Sequence, residues 1–355
     1  MLIPPPYAID IGDRTVKIAQ LIPRHRWDPQ RAWPCLRDLA EHDLTEGWVV
    51  NGEIMDPSSL ATFLRRVIAR ATPWFLRSTH AVITLPETRT YLTTIAVPSG
   101  DDHAATVRRT VAAALPIDAE HAVIATTTIS GTDERIAIAA VPTDVVESYA
   151  TLLRRVGLTL IACTTEADAL ARAVASTSPT PTPKIVLDFG ATRTGAIIAA
   201  GTVVAASVTI PVSGMQLTAA IAAKLRIDLA AAERTKHAAD LTRVASDDRA
   251  ATALADALAP LIDGITRLRA FASTHLPMSM HPTSLTLTGG GAALGGLDQF
   301  LREHIRLPVD RFILPDAVTT ELPPHATAHS GRLATLFGLG LIALDPVATL
   351  SEPTL

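Results

Sequence analysis

Between residues 7 and 22 two apolar runs flank a polar turn: Tyr7, Ala8 and Ile9 lead into Asp10, Gly12, Asp13, Arg14 and Thr15, and Val16, Ile18 and Ala19 resume the apolar pattern. That spacing predicts a β-hairpin with an acid near its tip. "EGWVVNGEIMDP" at 46–57 supplies a turn before a helix starting near Pro57 and Ser58, in which Leu60, Phe63, Leu64, Val67 and Ile68 form one apolar stripe. "HAVITLP" at 80–86 reads as a buried strand closed by proline. From 91 the pattern becomes a strand, a helix over 102–115 cut by Pro116, two strands around the turn "SGTD", and a helix over 143–156 stopped by Gly157. This unit is expected as a compact module inserted into a first lobe. A helix over 165–175 follows, and the proline- and threonine-rich "STSPTPTP" at 176–183 marks the boundary between lobes.

The second half opens as the first does. "KIVLDFGATRTGAIIAAGTVVAASVTIPVSG" predicts a strand, an Asp-Phe-Gly turn, a second strand, a glycine turn and a third strand, so an Asp-x-Gly hairpin recurs about 180 residues after the first. Helices are expected over 215–225, 228–239 and 251–274, and "SLTLTGGGAALGGLDQFL" reads as strand, glycine turn and helix. With 355 residues, 48% of them hydrophobic and 19% charged, the chain can bury two sizeable α/β lobes. The net charge of -4 and the scattering of arginines without a basic block argue against a nucleic-acid partner. Cys35 and Cys163 lack metal-ligand spacing and read as reduced thiols of a cytoplasmic protein. "MLIPPPYAID" lacks the charged-then-apolar pattern of a signal peptide. The longest apolar run, "LATLFGLGLIAL" at 333–344, falls short of the roughly 20 residues needed to span a bilayer, so no direct membrane insertion is expected. "LSEPTL" at the end is short and acidic, unlike a basic amphipathic tether.

An acid at a hairpin tip beside glycine suits a site for nucleotide phosphates with Mg²⁺. Glycine lets backbone N–H groups approach phosphate oxygens, and the carboxylate holds the metal or its waters. One Asp-x-Gly is an ordinary turn. A pair, one per lobe, predicts a clamp with Asp10 and Asp188 toward the metal. "GGGAALGG" at 289–296 adds a flat backbone surface between a strand and a helix, suited to an adenosine.

These features together resemble the actin-like ATPase superfamily. "AIDIGDRTVKIAQL", "AAVPTDVVESYATLLRRVGLTLIACTTEADALARA", "VLDFGATRTGAIIAAGTVV", "IPVSGMQLTAAIAAKLRIDLAAAERTK" and "LTLTGGGAALGGLDQFLREHIRLPVD" resemble, within it, the PilM family of type IV pilus assembly, related to FtsA and to the type II secretion platform. The resemblance implies a two-lobed actin-like α/β fold of duplicated RNase H-like lobes with an FtsA-like inserted subdomain. The implied division is 1–90 for the first-lobe core, 91–160 for the insert, 161–183 for a helix and linker, 184–216 for the second-lobe core, 217–275 for its outer helices, 276–330 for the remaining core with the adenosine loop, and 331–355 for a return to the first lobe.

ATP and Mg²⁺ are the implied cofactors. Asp10, Gly12, Asp13, Arg14 and Thr15 would form the first phosphate loop, and Asp188, Gly190, Thr192 and Thr194 the second. Glu166 matches the acid that orients water or metal, and Asp188 is the other catalytic candidate; Glu166 also reads as an ordinary acid at a helix N-terminus. Gly214 and Gln216 sit where the family turns into the second lobe's outer helix, Glu233 and Lys236 match a ribose and adenine pair, and Gly289, Gly290 and Gly291 would support the adenosine. Asp13 and Arg14 stand where the family's first loop is serine-rich, and an added carboxylate there repels phosphate unless Mg²⁺ or Arg14 compensates. Slow ATP turnover at most is expected. The implied partner is the N-terminal tail of a PilN-like inner-membrane protein, docked between the first-lobe core and the insert, near 91–160 and 165–175. A homo-oligomer stays open, as do an FtsA-like filament protein and a kinase of the superfamily, although the chain offers no extra acid placed for a substrate hydroxyl.

Overall fold

The structure, a computed structural model, describes residues 4–23, 33–72, 77–97, 103–129, 135–178, 180–246, 248–322, 327 and 330–344. The expected turn at 130–133 and the tail from 345 lie outside them.

Two five-stranded sheets repeat one topology. The first joins β1 (Tyr7–Ile11), β2 (Thr15–Ile22), β3 (Cys35–Asp43), β6 (His80–Leu85) and β10 (Thr159–Thr165) in the order β10-β6-β1-β2-β3. The second joins β11 (Lys184–Phe189), β12 (Thr194–Ala200), β13 (Val203–Ile210), β14 (Ser284–Thr288) and β15 (Val309–Arg311) in the order β15-β14-β11-β12-β13. In each sheet three consecutive strands run antiparallel, and the two strands beyond the first are parallel to it. A minimal hairpin, β4 (Val49–Val50) with β5 (Glu53–Ile54), leads into α1 (Pro57–Ala71), whose first turn is capped by Asp56 accepting the Ser59 N–H at 2.9 Å.

Alternation along the strands sorts side chains between two environments. Tyr7, Ile9 and Ile11 face an outer core with α1 and with α3 (Thr143–Val156), where Leu60, Leu64, Tyr149, Leu152 and Leu153 are buried. Ile185, Leu187 and Phe189 face the equivalent core of the second lobe, covered by α5 (Gly214–Leu225), α6 (Leu229–Ala238), α7 (Arg249–His275) and α8 (Leu297–Ile305). The intervening residues Ala8 and Val186 face a third core between the lobes, formed on α4 (Glu166–Ser176) and α10 (Ala334–Leu344), just past the short α9 (Asp316–Thr319). The apolar run at 333–344 is thus a buried core helix, and among the described residues no helix is long and apolar enough to cross a membrane.

The insert is a three-stranded sheet of β7 (Tyr91–Ala96), β9 (Arg135–Pro142) and β8 (Ala122–Ile129), in that order, with α2 (His103–Ala114) packed on it. It leans on the second lobe as well as springing from the first: Thr94 Oγ1 donates to the Ala205 carbonyl of β13 at 2.6 Å, and Ile129 and Ala137 join the second lobe's core. Helix α3, in contrast, buries its apolar face in the first lobe's outer core and ends on Gly157 at φ +94°, a left-handed cap that glycine takes without strain.

Helix α10 lies almost backbone to backbone on α4. A Cβ built at Gly338 would sit 1.7 Å from the Ala169 carbonyl oxygen. Alanine normally gains up to about 1 kcal/mol over glycine inside a helix, but overpacking costs about 1–3 kcal/mol, and here the obstacle is backbone. Gly338→Ala is therefore expected to destabilise the protein by about 1–3 kcal/mol in denaturant unfolding, and a gain in stability would show that the two helices separate easily.

Candidate functional site

The alternation that sends Ala8 and Val186 toward the lobe interface also sends Asp10 and Asp188 there, two residues further along each strand. Asp10 accepts from Thr84 Oγ1 at 2.8 Å and lies 3.8 Å from Lys17 Nζ. Asp188 receives Thr288 Oγ1 at 3.5 Å. Beyond each acid the chain turns through one closing bond, Gly12 N–H to the Thr15 carbonyl at 2.9 Å in the first lobe and Gly190 N–H to the Arg193 carbonyl at 3.0 Å in the second. A Cβ at Gly190 would sit 2.7 Å from that carbonyl oxygen, so the turn requires glycine.

Both turns open on one cleft of about 230 Å³ between the lobes. Asp10, Gly12, Asp13, Arg14, Thr15, Glu166, Asp188, Gly190, Thr192, Gly289 and Gly290 line it. Among the described residues the N–H groups of Asp13, Arg14, Ala191 and Thr192 have no hydrogen-bond acceptor, which leaves donors at both turns. Gly289, at φ +81°, brings the third glycine turn against the second hairpin; a Cβ there would stand 2.5 Å from Asp188 Oδ1. The remaining expected residues stand outside this wall. Thr194 is buried and donates to the Val212 carbonyl at 2.6 Å, and Gly291 packs under the Phe189 ring. Gly214 N–H donates to the Gly190 carbonyl at 3.0 Å, bracing the second turn from behind. Gln216 is exposed on the first turn of α5, its N–H held by the cap Ser213. Glu233 and Lys236 pair at 2.8 Å beside them, with Lys236 Nζ also donating to Thr218 Oγ1 at 2.9 Å and the Gly214 carbonyl at 3.0 Å.

Sequence reasoning named Arg14 and missed the other cations of the cleft, Lys17, Arg193 and Arg332. Arg193, at the end of the second turn, reaches across the cleft to Glu166 at 2.8 Å and Asp13 at 3.4 Å. Arg14 instead turns outward to exposed Glu46 at 3.3 Å, so Asp13 is met by Arg193 and by the Gly52 N–H at 2.9 Å. Alignment of the two turns would have flagged Arg193, which takes the place of Thr15. Glu87 was missed too; it accepts from Ser207 of β13 and lines the same cleft.

Burial dominates the electrostatics. It pushes Glu166 up to about 8 against the pull of Arg193, with the charges of Asp10, Glu87 and Asp188 pushing the same way. It raises Glu87 to about 7, and it also raises Asp188, with Lys17 opposing and Asp10 adding to the rise. Carboxylates so short of cations, beside free N–H donors, suit a ligand that carries both a metal and phosphate oxygens. Among the described residues no three acidic, His or Cys side chains form a complete metal cage, and Mg²⁺ asks for less, since one or two carboxylates with phosphates and waters suffice. The residues present therefore fit a magnesium nucleotide, with Asp10 and Asp188 toward the metal and the two turns toward phosphate.

Two lobes of one topology, paired Asp-x-Gly turns and a third glycine turn beside them make this an actin-like ATPase fold. A family model for the cell division protein FtsA matches residues 185–337. Among solved structures, a PilM–PilN type IV pilus biogenesis complex superposes with a TM-score of 0.77 at 22% identity, over 96% of this chain and 99% of that one. MreB5 of Spiroplasma citri bound to AMPPNP superposes with a TM-score of 0.60 at 12% identity, over 99% of each chain. No curated protein sequence matches the chain. The expected actin-like fold and the resemblance to PilM thus meet in the same neighbour.

The buried acids give stability a pH dependence. Unfolded Glu166 loses its proton near 4.5 and folded Glu166 near 8, so between these the folded state binds more protons and stability falls as pH rises. Glu166→Gln is expected to flatten the decline of Tm between about pH 5 and 8. An unchanged slope would show that Glu166 is not held in its neutral form.

Proposed function

We propose that this protein is an ATP-binding adaptor of a type IV pilus assembly complex, working at the cytoplasmic face of the inner membrane through a PilN-like partner. The observation that carries the nucleotide half is the pair of glycine-closed turns, with their free N–H groups and with Asp10 and Asp188 beside them. When bound, Mg²⁺ would neutralise phosphate charge. The chain's own part is to hold the metal's waters through Asp10 and Asp188, to receive phosphate oxygens on the turns, and to shape the adenosine side with Gly289 and Gly290. Hydrolysis needs a base at a positioned water, and Glu166, held toward its neutral form by burial, is a poor one. Slow turnover follows.

Calorimetric titration of ATP with Mg²⁺ into the wild-type chain and Asp188→Ala tests this half. Micromolar binding to the wild type, weakened at least tenfold in the variant, is the expected outcome. No binding to the wild type would leave an actin-like shell without a nucleotide.

The adaptor half is supported by the full-length likeness to the PilM–PilN complex. At the root of the insert a crevice of about 340 Å³ is lined by Glu87, Tyr91, Leu92, Leu115, Pro116 and Ser207, with Tyr91 of edge strand β7 39% exposed. An extended tail adding to that edge would gain main-chain bonds and an aromatic contact. A fluorescent PilN-type N-terminal peptide is expected to bind, and Tyr91→Ala to weaken it about fivefold or more. Equal binding by both proteins would move the tail elsewhere on the insert. Sedimentation of the protein upon ATP addition would favour the filament reading instead.

A further inference from the structure

The two turns share a backbone and differ in one side chain. Where the first turn ends on Thr15, the second ends on Arg193, and this guanidinium bridges the lobes by pairing with Asp13 of the first turn and Glu166 at the head of α4. Other cations along the cleft each meet one acid where Arg193 meets two: Lys17 lies 3.8 Å from Asp10, Arg332 is 2.9 Å from Glu41, and Arg14 faces Glu46 outside. We infer that Arg193 reads the terminal phosphate of a nucleoside triphosphate, so that this chain prefers triphosphate to diphosphate, and that Arg193 leaves Glu166 and Asp13 to do so. The inference rests on the nucleotide reading above and extends it to one residue that the paired-turn pattern does not contain.

Its physical basis is a competition for one cation. The guanidinium fork donates to carboxylate and phosphate alike, but a terminal phosphate brings up to two charges and three acceptor oxygens where each carboxylate brings at most one charge and two. The abandoned acids are provided for. Asp13 keeps the Gly52 N–H at 2.9 Å, and burial already favours the neutral form of Glu166, so neither is left as a bare buried charge. A diphosphate lacks the group that draws Arg193 away, and the pairing that bridges the lobes persists.

Calorimetry on the full chain with ATP and with ADP, each with Mg²⁺, tests the inference on wild type, R193Q and R193K. The wild type is expected to prefer ATP about tenfold, R193Q to bring the ratio of affinities near one, and R193K, a cation without the fork, to fall between. A wild type without preference, or an R193Q ratio equal to that of the wild type, overturns the role of Arg193 and leaves the nucleotide site standing. If neither nucleotide binds the wild type, the nucleotide reading itself falls. Thermal melting shows whether R193Q is folded; if it is not, R193K decides, and a ratio identical to wild type in a folded R193K overturns the reading of phosphate by the fork.

Discussion

Carboxylates taken out of water must find cations, and this cleft gathers Asp10, Asp13, Glu41, Glu87, Glu166 and Asp188 against Arg14, Lys17, Arg193 and Arg332, of which Arg14 turns outward and Arg332 is held by Glu41. That imbalance organises the centre of the molecule. It explains why Arg193 lies across the gap instead of in solvent and why hydroxyls of Thr84 and Thr288 are turned onto the two strand acids, while burial, more than the neighbouring charges, holds Glu166 and Glu87 toward their neutral forms. Apolar contacts hold the lobes together around α4 and α10, while the charges at the mouth decide what the gap will admit.

The same imbalance links distant parts. Asp13 accepts the Gly52 N–H, and the Gly52 carbonyl accepts the hydroxyl of buried Tyr149 on α3, at 2.9 Å in each case. Gly52 has room for this only without a side chain, since a Cβ would lie 2.3 Å from Pro86 and its φ is +77°. The helix that follows the insert is therefore joined by hydrogen bonds to the first turn, and through Arg193 to the second lobe.

Much of this was legible locally. The hairpins, their strand acids, the glycine turns and most helices announce themselves within a dozen residues, because alternation, caps and turn chemistry are short-range. Strands β3, β10 and β15 did not. "TLIACTT" carries no turn signal of its own and becomes a strand because β6 offers it a parallel partner. Arg193 stayed hidden for a related reason: its partners lie 27 and 180 residues away, and only the closed fold brings them within reach. Lys236 showed the converse, a residue whose neighbours were foreseen but whose amine is occupied by the start of α5.

The contact of Gly338 with the Ala169 carbonyl has a mechanical meaning. Helix α4 touches strands of both sheets and is clamped from the first-lobe side by α10, with no side chain between their backbones at that point. Backbones in such close contact leave no room for one helix to slide along the other, and any rotation about that contact would displace the rim more than the centre. The insert, which springs from the first lobe and rests on β13 of the second, lies at that rim.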